Sequence, residues 1–445
     1  MHSALERVRE VASRDRKAKF TALLHHVTLD RLRQAFFSLQ RGAAAGVDGM
    51  TWDGYAQGLE ARLLDLHARV HRGAYRATPS RRVYIPKPDG RLRPLGIAAL
   101  EDKLVQRAIV EVLNAIYETD FLGLSYGFRP GRGPHDALDA LAVGIVRKRV
   151  SWVFDADIRG VFDTIDHGWL VKFVQHRIAD TRVVHLIQKW LNAGVLEEGK
   201  WSATTGGTPQ GATISPLLAN LYLHHVLDLW VDQWRKRHAR GDVILVRYAD
   251  DFVMGFEHEA DARAFRHQLE ERLRRFSLEL HPEKTRLLRF GKFARQQQKE
   301  RGLGKPGTFD FLGLTHICGK SRSGKFLLFR HSAKKRMTAK LHALRKALLR
   351  RRHLPIPEQG RWLASVLRGY FAYFAVPTNA RRISSFRLQI TRSWLHALRR
   401  RSQRDGTTWA RMHVLAERWL PKPPIQHPWP SERFDVRTQG RGRVR

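Results

Sequence analysis

Two adjacent aspartates, Asp250 and Asp251, stand between two apolar runs, residues 243–246 and 252–256. Apolar runs separated by a few turn-forming residues read as a β-hairpin, here with Ala249, Asp250 and Asp251 at its tip. Neighbouring carboxylates repel and resist burial, so a pair held between hydrophobic strands points to a bound cation. A plain hydrophilic turn explains the pair equally well, because Asp is common in turns. Asp157 is a second acid of this kind, ending the apolar run Trp152-Val153-Phe154-Asp155-Ala156-Asp157. Nucleotidyl transfer uses two divalent ions about 3.5–4 Å apart, one on the attacking and one on the leaving oxygen. Magnesium keeps several waters, so such a site needs only a few carboxylates.

The charge balance narrows the substrate. The 445 residues include 80 Lys and Arg against 42 Asp and Glu, a formal charge of +38. Such a surplus repels itself in a compact state and implies a polyanionic partner. Nucleic acid fits, since each neutralised phosphate releases counterions. An anionic membrane would explain one basic face, whereas Lys and Arg here recur along the whole chain. Cys318 is the single cysteine, which leaves no intrachain disulfide and fits a reducing compartment. No stretch approaches the roughly 18 apolar residues of a membrane span. Glu6, Glu10 and Asp15 argue against a targeting leader. A soluble, cytoplasmic, nucleoid-associated protein without membrane contact is expected.

Periodicity supplies the framework. Leu29, Leu32, Phe36 and Leu39 predict an amphipathic helix, ended by a turn at Gly46-Val47-Asp48-Gly49. Residues 101–117 predict a second helix, with Leu104, Ala108, Val112 and Ile116 on one face. Tyr84-Ile85 reads as a strand entering the turn 86–90. Near residue 330 helical periodicity takes over, and a domain boundary is placed there: 1–80, 81–330 and 331–445. Between residues 331 and 352 there are nine Lys or Arg and no acid. A helix of one sign repels itself unless something anionic lies against it. Met337, Leu341, Leu344 and Leu348 mark the apolar stripe of this segment, and Phe386, Ile390 and Trp394 mark another, read as core.

In this setting the acids resemble the motifs of reverse transcriptases. Tyr248-Ala249-Asp250-Asp251 is similar to that family's signature hairpin. Residues 82–97, with Ile85-Pro86-Lys87-Pro88 and Arg93-Pro94-Leu95-Gly96, resemble its first fingers block. Tyr126-Gly127-Phe128-Arg129-Pro130 resembles the second, and residues 156–167 the palm strand with the first metal ligand. Thr208-Pro209-Gln210-Gly211 opens a segment similar to the block lining nucleotide and template. Residues 280–285 and 309–313 complete the palm, and residues 39–52 resemble the leading block of the group II intron-encoded branch.

The resemblance implies an α+β right-hand polymerase: fingers, an antiparallel palm sheet with helices on one face, and a helical thumb. It implies that Asp157, Asp250 and Asp251 are catalytic and hold two Mg2+ ions (Mn2+ as a substitute), with Ile158 in the metal set. Asp155 shares the strand face of Asp157 and is read as peripheral. Phe162 matches the gate that excludes a ribose 2′-hydroxyl. Lys87 and Arg93 match residues that clamp the triphosphate, and Gln210 lies near the nucleotide, with Gly211 allowing close backbone approach. Lys284 either assists the leaving pyrophosphate or is an ordinary lysine at a helix start.

The basic C-terminal third resembles the thumb, or maturase (X), domain of the intron-encoded proteins, through residues 368–374 and the His427-Pro428-Trp429-Pro430 segment with Arg433-Phe434. Lys334, Lys335, Arg387, Arg392, Arg399, Arg400 and Arg401 are the candidate RNA contacts, which position rather than specify. The implied partners are group II intron RNA, an RNA template with a DNA primer, dNTPs and target DNA. Relatives of this type often carry a Cys- and His-bearing endonuclease; none is expected here, so the priming strand comes from elsewhere. Two alternatives stay open: an intron-independent reverse transcriptase recruited to defence or repair, and a splicing-only RNA-binding maturase. Residues 319–325 nearly spell a phosphate-binding loop, but Phe326 stands where Ser or Thr is needed, and a hairpin turn is expected. His25-His26 and His224-His225 lack zinc-site spacing and are read as packing or surface residues.

Overall fold

The computed structural model describes residues 4–86, 92–204, 206–208, 211–402 and 405–438. The first predicted helix spans Leu29–Ser38, begun by the Thr28 side chain accepting from the Arg31 amide, with Leu32, Ala35 and Phe36 buried. The second runs Leu100–Asp120, and its predicted face, Leu104, Ala108, Val112 and Ile116, is wholly buried. Eleven strands are described: β1 Ser80–Pro86, β2 Leu92–Ile97, β3 Trp152–Asp157, β4 Val195–Glu197, β5 Lys200–Ser202, β6 Val243–Tyr248, β7 Asp251–Phe256, β8 Arg286–Arg289, β9 Phe309–Phe311, β10 Leu314–Lys320 and β11 Phe326–Ser332.

They form three sheets, ordered β2-β1-β4-β5, β6-β7-β3-β8 and β11-β10-β9. The central one, β6-β7-β3-β8, is antiparallel throughout. Strand alternation divides its side chains. Phe154, Ala156, Phe252 and Met254 join a core with the N-terminal helices and Leu100–Asp120. Val153, Ile244, Val246 and Val253 join a second core with helix Pro134–Arg147 and the β9–β11 sheet. Both faces are therefore covered, which corrects the expectation of helices on one face. The reason is visible in the strands, which are apolar at both alternations, as double-sided burial requires.

The β10–β11 hairpin turns where residues 319–325 were expected to, with Lys320 opposite Phe326. The last strand ends at Ser332, and helices Lys334–Arg350, Ile356–Phe374, Ala380–Arg399 and Trp409–Trp419 follow around their own core. Phe386, Ile390 and Trp394 are buried there, as the stripe implied. The buried Gln359 joins the bundle: its amide donates to the Arg351, Arg352 and Leu354 carbonyls, and its oxygen accepts from the Trp394 indole. Among the described residues no helix is long and apolar enough to cross a membrane.

The C-terminal segment returns to the central body. Asp139, on helix Pro134–Arg147 and 1% exposed, is gripped by Arg330 of β11 at 2.9 Å and by Arg433 of the last helix, Pro430–Thr438. Arg433 also donates to the His135 carbonyl and meets the His427 ring, which in turn meets the Ala372 carbonyl. Removing the shared carboxylate strands two guanidinium groups, one of them fully buried. Asp139→Ala should lower unfolding stability by about 3–5 kcal/mol in urea denaturation, and should expose the C-terminal helix to limited proteolysis.

Candidate active site

The acids converge at one end of the central sheet. Asp157, the last residue of β3, lies directly across from Asp251, the first of β7, a separation of about 4.5–5.5 Å between Cα atoms. Asp250 precedes it in the β6–β7 turn. That turn is tight: Ala249 has φ 57°, and a Cβ on Gly127 would sit 2.4 Å from the Ala249 amide nitrogen. The Tyr126-Gly127-Phe128 loop thus lies on the turn backbone, and only glycine fits at its centre.

Beneath the turn is a group that sequence reading did not single out. Arg247 and Asp228 are both 0% exposed and pair bidentately, at 2.8 and 2.6 Å. The same guanidinium donates to Asn220 Oδ1 (3.0 Å) and the Ala249 carbonyl (2.9 Å), while Asn220 Nδ2 donates to the Gly127 carbonyl at 2.7 Å. Asp228 ends a π-helical stretch, His224–Asp228, a feature common at functional sites. The one available signal was an arginine inside an otherwise apolar strand.

The carboxylates crowd one another in a buried setting. Burial, reinforced by Asp155, Asp157 and Asp250, pushes Asp251 up to about 8. Burial also raises Asp250; its own backbone amide opposes this, Asp157 adds to it, and Arg93 and Lys284 oppose it. Arg93 on β2 therefore lies near the turn. Asp157 is held by the Lys284 ammonium. Asp155 pairs with Arg286 at 2.8 Å, in keeping with a peripheral role. Ile158 is 1% exposed and bridges Leu280, the bonds running from its neighbours Asp157 and Arg159. In such a bridge its own carbonyl points away from Leu280, towards β7, so only that oxygen could serve a metal.

As they stand, no three His, Cys, Asp or Glu side chains among the described residues converge closely enough to hold a metal ion. The donors nevertheless suit a hard divalent cation. They are carboxylate oxygens on neighbouring strand ends, two of them held back from ionising by burial and neighbouring acids, with an ammonium seated on a third.

Phe162 is partly buried and lines a cleft of about 150 Å³ with Arg82 and Pro94 of the first sheet. Gly211 has φ 114°, and a Cβ there would lie 2.6 Å from the Gly96 carbonyl. Its close approach is thus to Gly96 of β2. Lys87 and Gln210 lie outside the described residues.

Residues 85–316 match the family described as reverse transcriptase (RNA-dependent DNA polymerase). The chain belongs to that family. It is 38% identical over 239 residues to protein YkfC of Escherichia coli K12, covering 47% of this chain and 62% of that one. It is 38% identical over 208 residues to the group II intron-encoded protein LtrA of Lactococcus lactis subsp. cremoris, covering 46% and 34%. A protein encoded in a cob intron of Schizosaccharomyces pombe is 45% identical over 149 residues, 34% of this chain and 18% of that one. The chain thus spans less than two thirds of the length of each of these relatives. The observed α+β architecture, with an antiparallel sheet followed by helices, is that of this polymerase family.

The basic residues of this reverse transcriptase divide into two sets. Lys334, Lys335, Arg392 and Arg400 are exposed. Arg387 donates to the Ala416 and Leu420 carbonyls and pairs with Glu417, capping the Trp409–Trp419 helix. Arg401 donates to the Arg352 and Leu354 carbonyls, and Arg399 to that of Thr407. Positive charge does not distinguish a cap from a phosphate contact, so the sequence grouped them. The paired histidines pack: burial lowers both His224 and His225 to about 3.

The raised Asp251 couples stability to pH. The unfolded carboxyl ionises near 4 and the folded one near 8, so between these values the folded state binds more protons. Stability in chelator should fall as pH rises from 4 to 8. Asp251→Asn should flatten that decline and raise the melting temperature above wild type at pH 8.5, with little difference near pH 4.

Proposed function

We propose that this chain is an RNA-directed DNA polymerase of the group II intron-encoded kind, which extends a DNA primer on an RNA template. The observation that carries this is the cross-strand placement of Asp157 and Asp251, with Asp250 in the adjoining turn, inside the segment matching the family. The likeness to LtrA, a group II intron-encoded protein, and to a protein of a Schizosaccharomyces cob intron favours intron RNA as a partner. We assign residues 81–330 to fingers and palm, 331–445 to the thumb and maturase region, and 1–80 to the N-terminal extension.

Two divalent cations, Mg2+ or its substitute Mn2+, supply Lewis-acid stabilisation of the attacking and leaving oxygens when bound. Asp157 and Asp250 would hold them, with Asp251 and the Ile158 carbonyl in support, and Lys284, paired with Asp157 in this structure, would stand near the leaving phosphates. We assign Arg93, and Lys87 from the resemblance of its block, to the triphosphate, where fixed cations would offset the charge that develops in transfer. Phe162 closes the sugar side of the cleft, where a 2′-hydroxyl finds neither room nor partner; Gln210 is assigned a nucleotide contact from the resemblance of its block. dNTPs are therefore the substrates.

Lys334, Lys335, Arg392 and Arg400 present phosphate contacts along the helical bundle, with Arg399 beside them; Arg387 and Arg401 act through the shape of that surface. RNA is bound there by backbone and shape. The same binding supports splicing of the parent intron and its return to target DNA.

Asp250→Asn with Asp251→Asn should abolish cDNA synthesis from an annealed RNA template while leaving intron RNA affinity within about threefold of wild type, since the bundle is untouched. Primer extension and filter binding on the same preparation check both halves. Extension at the wild-type rate would refute the assignment of the acids.

A further inference from the structure

Between helices Leu100–Asp120 and Pro134–Arg147, one residue of the loop is held in a conformation that packing does not explain. Phe128 has φ 57°, a left-handed backbone that a bulky side chain rarely adopts. Its ring is 56% exposed. The residues on either side are the opposite. The Tyr126 amide donates to the Arg247 carbonyl at 2.9 Å. Gly127 lies against the Ala249 backbone and accepts from Asn220. Arg129, 5% exposed, forks onto Glu118 and donates to the Leu122 and Ser125 carbonyls. The loop is thus rigid on both sides of a strained residue whose aromatic face is held out to solvent.

Such strain persists where the surroundings over-determine it, and it clusters at functional sites. Here the ring stands beside Tyr248, with centroids 6.4 Å apart, two residues from Asp250. The position selects the strand it would meet. Arg93 and Phe162 stand on or face the β2 sheet, the side proposed for the incoming nucleotide. Tyr248 lies instead on the side of Tyr373 and the C-terminal helices. The nucleotide already added must rest on that second side if its 3′-hydroxyl is to reach the acids. Aromatic faces hold sugars and bases there without regard to sequence.

We propose that Phe128 is a contact for the primer terminus, an aromatic shelf continuing Tyr248 against which the last nucleotide of the growing strand packs. This rests on the polymerase reading above and adds to it a binding residue outside the acid cluster. The rigid Gly127 and Arg129 anchors hold the shelf at a fixed height over the turn.

Phe128→Gly separates a contact from a packing role, because glycine removes the ring and relieves the left-handed backbone together. In the full-length chain, the melting temperature of this variant should match or exceed wild type. In steady-state extension of a DNA primer annealed to RNA, its KM for primer–template should rise by roughly 5- to 100-fold, far more than kcat falls. Phe128→Tyr should restore the wild-type KM. A glycine variant with unchanged KM, or one that melts well below wild type, overturns the proposal, as does a tyrosine variant that fails to rescue. A wild-type chain that extends no primer overturns the polymerase reading first and this inference with it.

Discussion

The buried pair of Arg247 and Asp228 holds the rest of the site in place. Two full charges without exposure are tolerated only when each is paired and hydrogen-bonded to saturation. This pair meets the condition by drawing in its surroundings: the guanidinium takes both Asp228 oxygens, Asn220 and the Ala249 carbonyl. Three separate chain segments are thereby fixed to one another: the π-helical stretch, the Tyr126-Gly127 loop and the β6–β7 turn. Any movement of the turn would leave a buried charge short of a partner. Charge-assisted hydrogen bonds of fixed fork geometry make this a directional constraint, not merely an attractive one.

That constraint permits the accumulation of acid above it. Asp155, Asp157, Asp250 and Asp251 share one strand end, and burial together with mutual repulsion raises Asp250 and Asp251. An unconstrained turn would relax by swinging its carboxylates apart into water. Held in place, it stores an affinity for cations, which Lys284 and Arg286 relieve in part on Asp157 and Asp155. Phe128 is held by the same network, through Gly127 and Asn220. The acidic turn and its exposed aromatic neighbour thus have one support.

Much of this was legible from local pattern. The acid pair between apolar runs gave the hairpin, the 3.6-residue stripes gave the helices and the C-terminal core, and Phe326 ruled out the phosphate loop. What escaped were relations that only topology creates. Arg247 and Asp228 lie 19 residues apart, and Lys284 lies 127 residues from Asp157; no spacing rule connects them. Arg387 and Arg401 look in sequence like any other arginine of a basic stretch, because a helix cap uses the same group as a phosphate contact. The second covering of the central sheet was implicit in strands apolar at both alternations, but helix Pro134–Arg147 carries no mark of which sheet it covers. The backbone of Phe128 is a product of its two anchors and has no signature of its own.

On the proposed function, the buried pair acts on the reaction by holding the acids, beyond any contribution to stability. Replacing it with apolar side chains of similar volume separates the two, since such exchanges are often neutral or stabilising. The decisive measurement is single-nucleotide incorporation by the Arg247→Met/Asp228→Leu chain, compared with its unfolding free energy. The double variant should fold to within about 2 kcal/mol of wild type while its incorporation rate falls by roughly 100-fold or more, as misplacement of reacting groups by about 1 Å can cause. A folded double variant that incorporates nucleotide at the wild-type rate would contradict it.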